Sequence, residues 1–179
     1  DVFESFYNDF GKTTADFYKL ERLDPSYQVF FGEKDSISIG DSLKKIYKLF
    51  DKEEKGSSKK LKRFINLAKE NYDIAIKDLV YKPGISPLEL ITPVTIKKIK
   101  YFLGNIKNDV YRDFKSPKLR QILQFPVLFL GAKPSNTPSF YNFMNFADFG
   151  LGTWHPEKGM YSVVLAMVSL AKSLGVEFY

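Results

Sequence analysis

The chain has 179 residues, enough for one domain with a buried core, and its 27 basic and 21 acidic residues give a net charge of +6. It contains no cysteine, which excludes disulfides, a thiolate nucleophile and a cysteine-based metal site. The single histidine excludes a multi-histidine metal site. No apolar run approaches the ~20 residues that span a bilayer, and no signal-peptide pattern is present. We therefore predict a cytoplasmic protein that is soluble or peripheral to the membrane.

The composition is rich in aromatic residues, with 17 Phe and 11 Tyr. Aromatic side chains bury large areas, so they build cores and also line tunnels for long apolar ligands. The basic residues concentrate in segments 44–63 and 97–107. They are mostly lysine, and no nucleic-acid motif interleaves them with aromatics, so we predict no nucleic-acid partner. An anionic membrane surface remains compatible with this charge.

The first 40 residues combine a helix with strands. Apolar residues at near-helical spacing predict a helix over residues 1–16. Alternating apolar residues on both sides of a turn at 23–26 predict a hairpin, and residues 36–39 add a third short strand. These elements predict a small antiparallel sheet.

Helical periodicity follows from Asp41, with Asp41 or Ser42 as N-cap. An exposed turn at 51–60 leads to a long helix over about residues 58–79. Proline or glycine at 83, 84 and 87 then breaks the chain into a loop that carries Glu89, interpreted as a solvated carboxylate.

Three Thr-Pro or Ser-Pro pairs, which begin at Thr92, Ser116 and Thr137, predict helix starts, because proline at the first helical position loses no needed donor. A last helix over residues 159–174 is apolar almost all round and is predicted to be buried on several sides. Gly175 would end it, and a new strand would begin at 176–179. The predicted fold class is α/β of the α+β type, predominantly helical, with a small antiparallel sheet packed against helices.

The segment 92–107 is basic and amphipathic. Its apolar stripe consists of Ile96, Ile99, Leu103 and Ile106, and lysines flank it. The stripe either packs on the core or lies on a membrane with the lysines toward anionic headgroups. The sequence alone favours packing on the core.

The segment 125–160, FPVLFLGAKPSNTPSFYNFMNFADFGLGTWHPEKGM, carries the most specific motifs. Three motifs stand out in it: Phe129-Leu130-Gly131-Ala132-Lys133-Pro134, Ser139-Phe140-Tyr141, and Gly152-Thr153-Trp154-His155-Pro156 with Gly159-Met160. These motifs resemble the bacterial-type phytoene desaturases (phytoene dehydrogenases), which are FAD-dependent members of the carotenoid desaturase family. Residues 20–27 resemble the strand turn of the same family. Lys158 stands where the family pattern has a glycine.

This resemblance implies the substrate-binding region of an FAD-dependent amine-oxidase-like fold. Residues 1–157 would form the substrate-binding, partly membrane-facing region, and residues 158–179 would re-enter the flavin-binding domain. The chain has no G-x-G-x-x-G motif, so the flavin-binding halves are expected outside it. We expect an internal piece of a larger enzyme that is inactive alone.

The resemblance also implies site residues. The predicted substrate-binding residues are Leu130, Pro134, Phe140, Tyr141, Met144 and Trp154, and the predicted FAD-binding residues are Gly159 and Met160. Spacing alone would place the aromatic residues of this set in a core, and residues 128–130 in a buried strand or helix end. The turn position favours a structural role for His155 over that of a base, and Glu89 could face the substrate entrance. No catalytic residue and no metal site is assigned.

Family members desaturate a linear polyene: a hydride leaves a saturated carbon for the flavin, and the neighbouring carbon loses a proton. The expected partners are therefore a long apolar polyene and a peripheral membrane surface, to which residues 44–50 and 61–64 would contribute. The alternatives are a carotenoid isomerase or polyene saturase of the same fold, or a non-enzymatic membrane-surface-binding helical module.

Overall fold

The computed structural model describes residues 2–83, 85–86 and 91–179, apart from the side chains of Asp78 and Val94. Three residues of the predicted loop lie outside the described residues: Gly84, Pro87 and Glu89. The described helices are α1 (Val2–Asn8), α2 (Leu43–Glu53), α3 (Ser57–Ile74), α4 (Pro93–Lys97), α5 (Ile99–Leu103), α6 (Ile106–Asp113), α7 (Pro117–Gln124), α8 (Phe143–Phe146) and α9 (Tyr161–Ser173). The strands are β1 (Leu20–Arg22), β2 (Tyr27–Phe30), β3 (Ser36–Ile39) and β4 (Trp154–Pro156).

Short 3-10 helices cover Thr14–Asp16, Phe125–Leu130 and Ser139–Asn142, and π-helical turns cover Ala75–Leu79 and Ala147–Leu151. The predicted class, predominantly helical α+β with antiparallel pairing, is confirmed. None of the helices in the described ranges is both long and apolar enough to cross a membrane.

The main core is built around α3, which packs against α2 and α8. Leu61, Phe64, Ile65 and Ala68 repeat at helical spacing and are buried, which is why this face of α3 turns inward. The π-helical turn extends α3 to Leu79, so the predicted long helix is confirmed. Buried side chains from the other elements complete the core: Ile37, Ile39, Ile46, Phe50, Ile106, Val110, Phe114, Leu119, Ile122, Leu123, Val127 and Phe149.

The predicted hairpin is wrong in its pairing. β1 pairs antiparallel with β4, with Leu20 opposite Pro156 and Arg22 opposite Trp154. β2 pairs instead with β3, with Tyr27 opposite Ile39. The turn at 23–26 therefore connects two separate two-stranded sheets. Strand pairing is a long-range property that local alternation does not report.

Two of the three predicted helix starts at a Thr-Pro or Ser-Pro pair, those at Thr92 and Ser116, are confirmed as side-chain caps. The Thr92 side chain accepts a hydrogen bond from the Thr95 backbone N–H at 3.1 Å, and Pro93 follows at the first helical position. Ser116 caps α7 in the same way. After the third proline the chain begins a 3-10 helix, Ser139–Asn142, which leads into α8.

The segment 92–107 does not form one core-packed helix, so that prediction is wrong. Its helix ends at Lys97 and a new one begins at Ile99, because Lys98 leaves the helical conformation. Ile96, Ile99 and Leu103 are consequently exposed, and only Ile106, the first residue of α6, reaches the core.

The N-terminal part packs against α9 in a second, smaller cluster. Tyr7 is buried there with Ala166 and Leu170. The other side of α9 is open: Val164 and Leu165 are about half exposed, so the prediction of burial on several sides is wrong for the described residues. Gly175 has a φ of +86°, as a helix-ending glycine requires. Residues 176–179 have no regular structure, and the strand start there stays a prediction.

Candidate functional site

An apolar cleft of about 610 Å³ lies between β2 and the segment from α7 to Pro134. Tyr27, Val29 and Phe30 form its wall on the strand side. The opposite wall consists of Ile122, Phe125, Leu128 and Pro134. Three glutamines supply the polar groups of the cleft: Gln28, Gln121 and Gln124. No charged side chain of the described residues lines it, so the cleft suits an apolar ligand.

A hydrogen bond holds the Tyr27 side chain in the wall of the cleft. Its hydroxyl donates to Oδ2 of Asp148 at 2.6 Å. Burial raises the pKa of the Asp148 carboxyl, against a smaller lowering by the bond from Tyr27, and burial together with the nearby Asp148 raises the pKa of Tyr27. The pair therefore joins β2 to the π-helical turn Ala147–Leu151, and the ring of Tyr27 lies 6.3 Å from that of Phe125.

The 3-10 helix Phe125–Leu130 presents two different sides. Pro126 and Val127 are buried, whereas Leu128 is 53% and Phe129 is 75% exposed. The prediction that residues 128–130 are buried is therefore wrong. With three residues per turn, a continuous apolar run in a 3-10 helix cannot bury every side chain against one core. The run instead places an apolar rim beside the cleft.

The predicted substrate-binding residues fall in different places. Pro134 lines the cleft, and Leu130 lies in the exposed 3-10 helix beside it. Phe140 is buried and stacks on Phe102 with ring centroids 4.6 Å apart, so it is part of the packing under α5. Tyr141 and Met144 are half-buried near α3 and α8.

Trp154 lies on β4 and is half exposed. Its indole N–H donates to the Leu151 carbonyl at 2.9 Å, and the Arg22 guanidinium lies 5.7 Å from its ring centroid. His155 is also exposed on β4, opposite Glu21 on β1.

Sequence reasoning missed the strand wall of the cleft, above all Tyr27, Val29 and Phe30. The alternation of Tyr27 and Val29 predicted a strand, and the next residue, Phe30, is exposed where a half-buried strand normally carries a polar residue. An apolar residue on the solvent face of a predicted strand was the available signal.

The predicted cofactor residues do not by themselves form an FAD site. Gly159 has a φ of +84°, and a Cβ there would meet no atom within 4 Å. Met160 is mostly exposed. The two residues present an open surface at the start of α9, without a cradle for a dinucleotide. No group of acidic or histidine side chains that could hold a metal occurs in the described part of the chain.

Comparisons with known proteins find sequences similar to this chain among carotenoid desaturases. The chain is 34% identical over 185 residues to a carotenoid 3,4-desaturase from Haloarcula japonica, a match that covers 99% of this chain and 37% of that protein. It is 26% identical to a zeta-carotene-forming phytoene desaturase from Myxococcus xanthus, over 100% of this chain and 35% of that protein. A 4,4'-diapophytoene desaturase from Staphylococcus haemolyticus is 25% identical over 99% of this chain and 36% of its own length.

No protein-family model matches the chain. The similarity to these desaturases nevertheless covers 99–100% of this chain, and therefore both of its described sheets. The chain spans about a third of the length of these relatives.

Proposed function

We propose that the chain is the substrate-binding segment of an FAD-dependent carotenoid desaturase that dehydrogenates a linear polyene. One observation carries the proposal: a whole-length match to a carotenoid 3,4-desaturase at 34% identity. The apolar cleft supports it, because its walls suit the kind of ligand that this relative's name implies.

The cleft residues would recognise the polyene by shape and by exclusion of water. A linear hydrocarbon offers no hydrogen-bonding group, so its affinity comes from the apolar area that it buries. Tyr27 and Phe125 present aromatic rings to the cleft, and the bond from Tyr27 to Asp148 keeps the tyrosine hydroxyl occupied. An occupied hydroxyl adds no desolvation cost when an apolar ligand arrives.

FAD would be the hydride acceptor, held mainly by parts of the protein that correspond to the rest of the relatives' length. The segment would then belong to an amine-oxidase-like fold, with residues 158–179 leading back to the flavin-binding domain. Gly159 and Met160 face outward at that junction, so they are available for contact with it. We assign no proton-transferring residue.

The alternatives are less well supported. The relatives described above are named as desaturases, which favours dehydrogenation over isomerisation or saturation. A non-enzymatic membrane module would not need a cleft of about 610 Å³ with apolar walls.

The surface of α4 and α5 would dock the protein peripherally on a cytoplasmic membrane. Ile96, Ile99 and Leu103 are exposed there, beside the exposed Lys97 and Lys100. Exposed apolar side chains flanked by lysines fit the boundary of an anionic bilayer, from which a water-insoluble polyene must be collected. The contribution expected from residues 61–64 is not supported, because Leu61 and Phe64 are buried in the core.

The cleft is tested by one charge placed inside it and one placed beside it. Leu128→Glu puts a carboxylate in the cleft, whereas Phe129→Glu puts it on the neighbouring side chain, which does not line the cleft. Both positions are at least half exposed, so both variants should fold. We expect Leu128→Glu to weaken carotenoid binding by about tenfold or more, since an unpaired charge in an apolar site is costly, and Phe129→Glu to bind nearly as wild type.

Carotenoid binding is measured in detergent solution by quenching of protein fluorescence. Equal affinity of wild type and Leu128→Glu would show that the polyene binds elsewhere.

A further inference from the structure

A second cleft, of about 470 Å³, lies between α3, α5, α6 and the 3-10 helix Ser139–Asn142. Unlike the apolar cleft, it is lined by charged and polar side chains along with Phe64, Leu67 and Tyr101. The proposed binding of a polyene makes no use of it.

Two buried polar side chains form the floor of this cleft. Ser139 is 2% and Asn142 is 3% exposed. Oδ1 of Asn142 accepts a hydrogen bond from Nδ2 of Asn71 at 2.9 Å, which turns its own amide N–H groups away from Asn71. Neither the Asn142 amide nitrogen nor the Ser139 hydroxyl donates to any residue in the described ranges. Both residues line the cleft, so these donors are available to a ligand there.

Gly104 allows the end of α5 to approach this floor. A Cβ at this position would lie 2.7 Å from the Ser139 hydroxyl oxygen. The Gly104 carbonyl also accepts a hydrogen bond from the Ser139 backbone N–H at 3.1 Å. The serine hydroxyl is therefore held against α5 at the base of the cleft.

The rim of the cleft is positively charged. Arg112 is engaged by Asp109 at 2.9 Å and by Asp113 at 3.1 Å. Arg63 and Lys100 form no ion pair within the described part of the chain, and the Lys100 ammonium lies 4.9 Å from the Tyr101 ring centroid. The cleft is thus lined by three cationic and two acidic side chains, which gives it a net charge of +1. The two side chains without an ion pair in the described part of the chain, Arg63 and Lys100, are both cationic.

We infer that this cleft binds the phosphate group of a phosphate ester. Arg63 and Lys100 would neutralise the anion, while Ser139 and Asn142 would donate to its oxygens from below. Donors that converge from different elements suit a tetrahedral anion, which offers acceptor oxygens in several directions. The apolar side chains Phe64 and Leu67 would contact the esterified group.

Two sources could supply this chemistry: the headgroup of an anionic lipid, or a soluble phosphate. The cleft shares α5 with the proposed membrane surface, since Lys100 lines the cleft and Leu103 is exposed on the same helix. The site itself does not depend on the proposed polyene function.

The test is isothermal titration calorimetry of the purified protein with two probes, inorganic phosphate and monomeric dihexanoyl phosphatidic acid. Arg63→Gln and Lys100→Gln each remove a rim charge, and we expect each to weaken binding by about tenfold, as for the loss of one charge-assisted hydrogen bond. Ser139→Ala removes a donor without a change of charge and should weaken binding several-fold. The matched control is Lys12→Gln, at an exposed lysine just after α1 and outside this cleft, which should bind as wild type.

The two probes separate the two sources. Similar affinity for both would indicate a soluble phosphate, and binding of the phosphatidic acid alone would indicate a lipid headgroup. The inference is overturned if wild type binds neither probe, or if Lys12→Gln loses as much affinity as Arg63→Gln. Leu128→Glu should leave phosphate binding unchanged, so failure of this inference and failure of the polyene proposal are seen separately.

Discussion

Gly152 shows how one residue fixes the sheet of β1 and β4. Its φ is +79°, and a Cβ would lie 2.6 Å from the Arg22 guanidinium. Gly152→Ala should lower the free energy of unfolding by about 1–3 kcal/mol, because both the backbone and the arginine must move. The measurement is urea denaturation.

Gly131→Ala is the matched control, since Gly131 also has a positive φ, of +68°, but open space around the Cβ position. It should cost less than Gly152→Ala. Equal losses would mean that the Arg22 contact contributes nothing.

The carboxyl of Asp148 gives the protein a pH dependence. Because burial raises the folded-state pKa above the usual 3.8, the folded protein holds this proton when the unfolded chain has released it. The contribution to stability is thus present below about pH 4 and is lost as the pH rises through the raised pKa. Asp148→Asn, which keeps an acceptor for Tyr27, should gain stability relative to wild type as the pH rises above about 4.

The check is thermal or urea unfolding of wild type and Asp148→Asn between pH 3 and 8. Parallel stability curves for the two proteins would contradict a raised pKa of Asp148.

At the scale of elements, the sequence reports local signals well. The starts of α4 and α7 were predictable because an N-cap side chain and a following proline act within one turn. The partner of β1 was not, since β4 follows it only after more than a hundred residues. The break in the helix at Lys98 could not be predicted either, because the apolar stripe continues past Lys98 at helical spacing.

The exposed stripe on α4 and α5 predicts membrane binding that depends on single side chains. Leu103 is 81% exposed, so Leu103→Ser should leave the fold intact while weakening binding to anionic vesicles by about tenfold or more. Val2→Ser, at a position on α1 that is 78% exposed, is the matched control and should bind as wild type. Vesicle co-sedimentation measures both. Equal vesicle binding by wild type and Leu103→Ser would show that the surface of α4 and α5 does not bind the membrane.

At the scale of the whole molecule, the candidate site joins segments that are far apart in sequence. The resemblance to a family predicted Pro134 and the neighbourhood of Leu130, because those motifs lie on one side of the cleft. It could not predict Tyr27 or Val29, because their role depends on β2 meeting α7 in the folded chain. The position of Phe140 also depends on long-range packing. Its aromatic ring stacks on Phe102 of α5 and does not line the cleft.

The central claim is that this chain supplies the substrate site of a carotenoid desaturase. The most direct measurement is the visible absorption spectrum of a linear carotenoid incubated in liposomes with the purified full-length protein and FAD. We expect the absorption maximum to move to longer wavelength as double bonds are added, and Leu128→Glu to slow this change while Phe129→Glu does not. An unchanged spectrum with FAD-loaded wild type across carotenoids of different saturation would contradict the account.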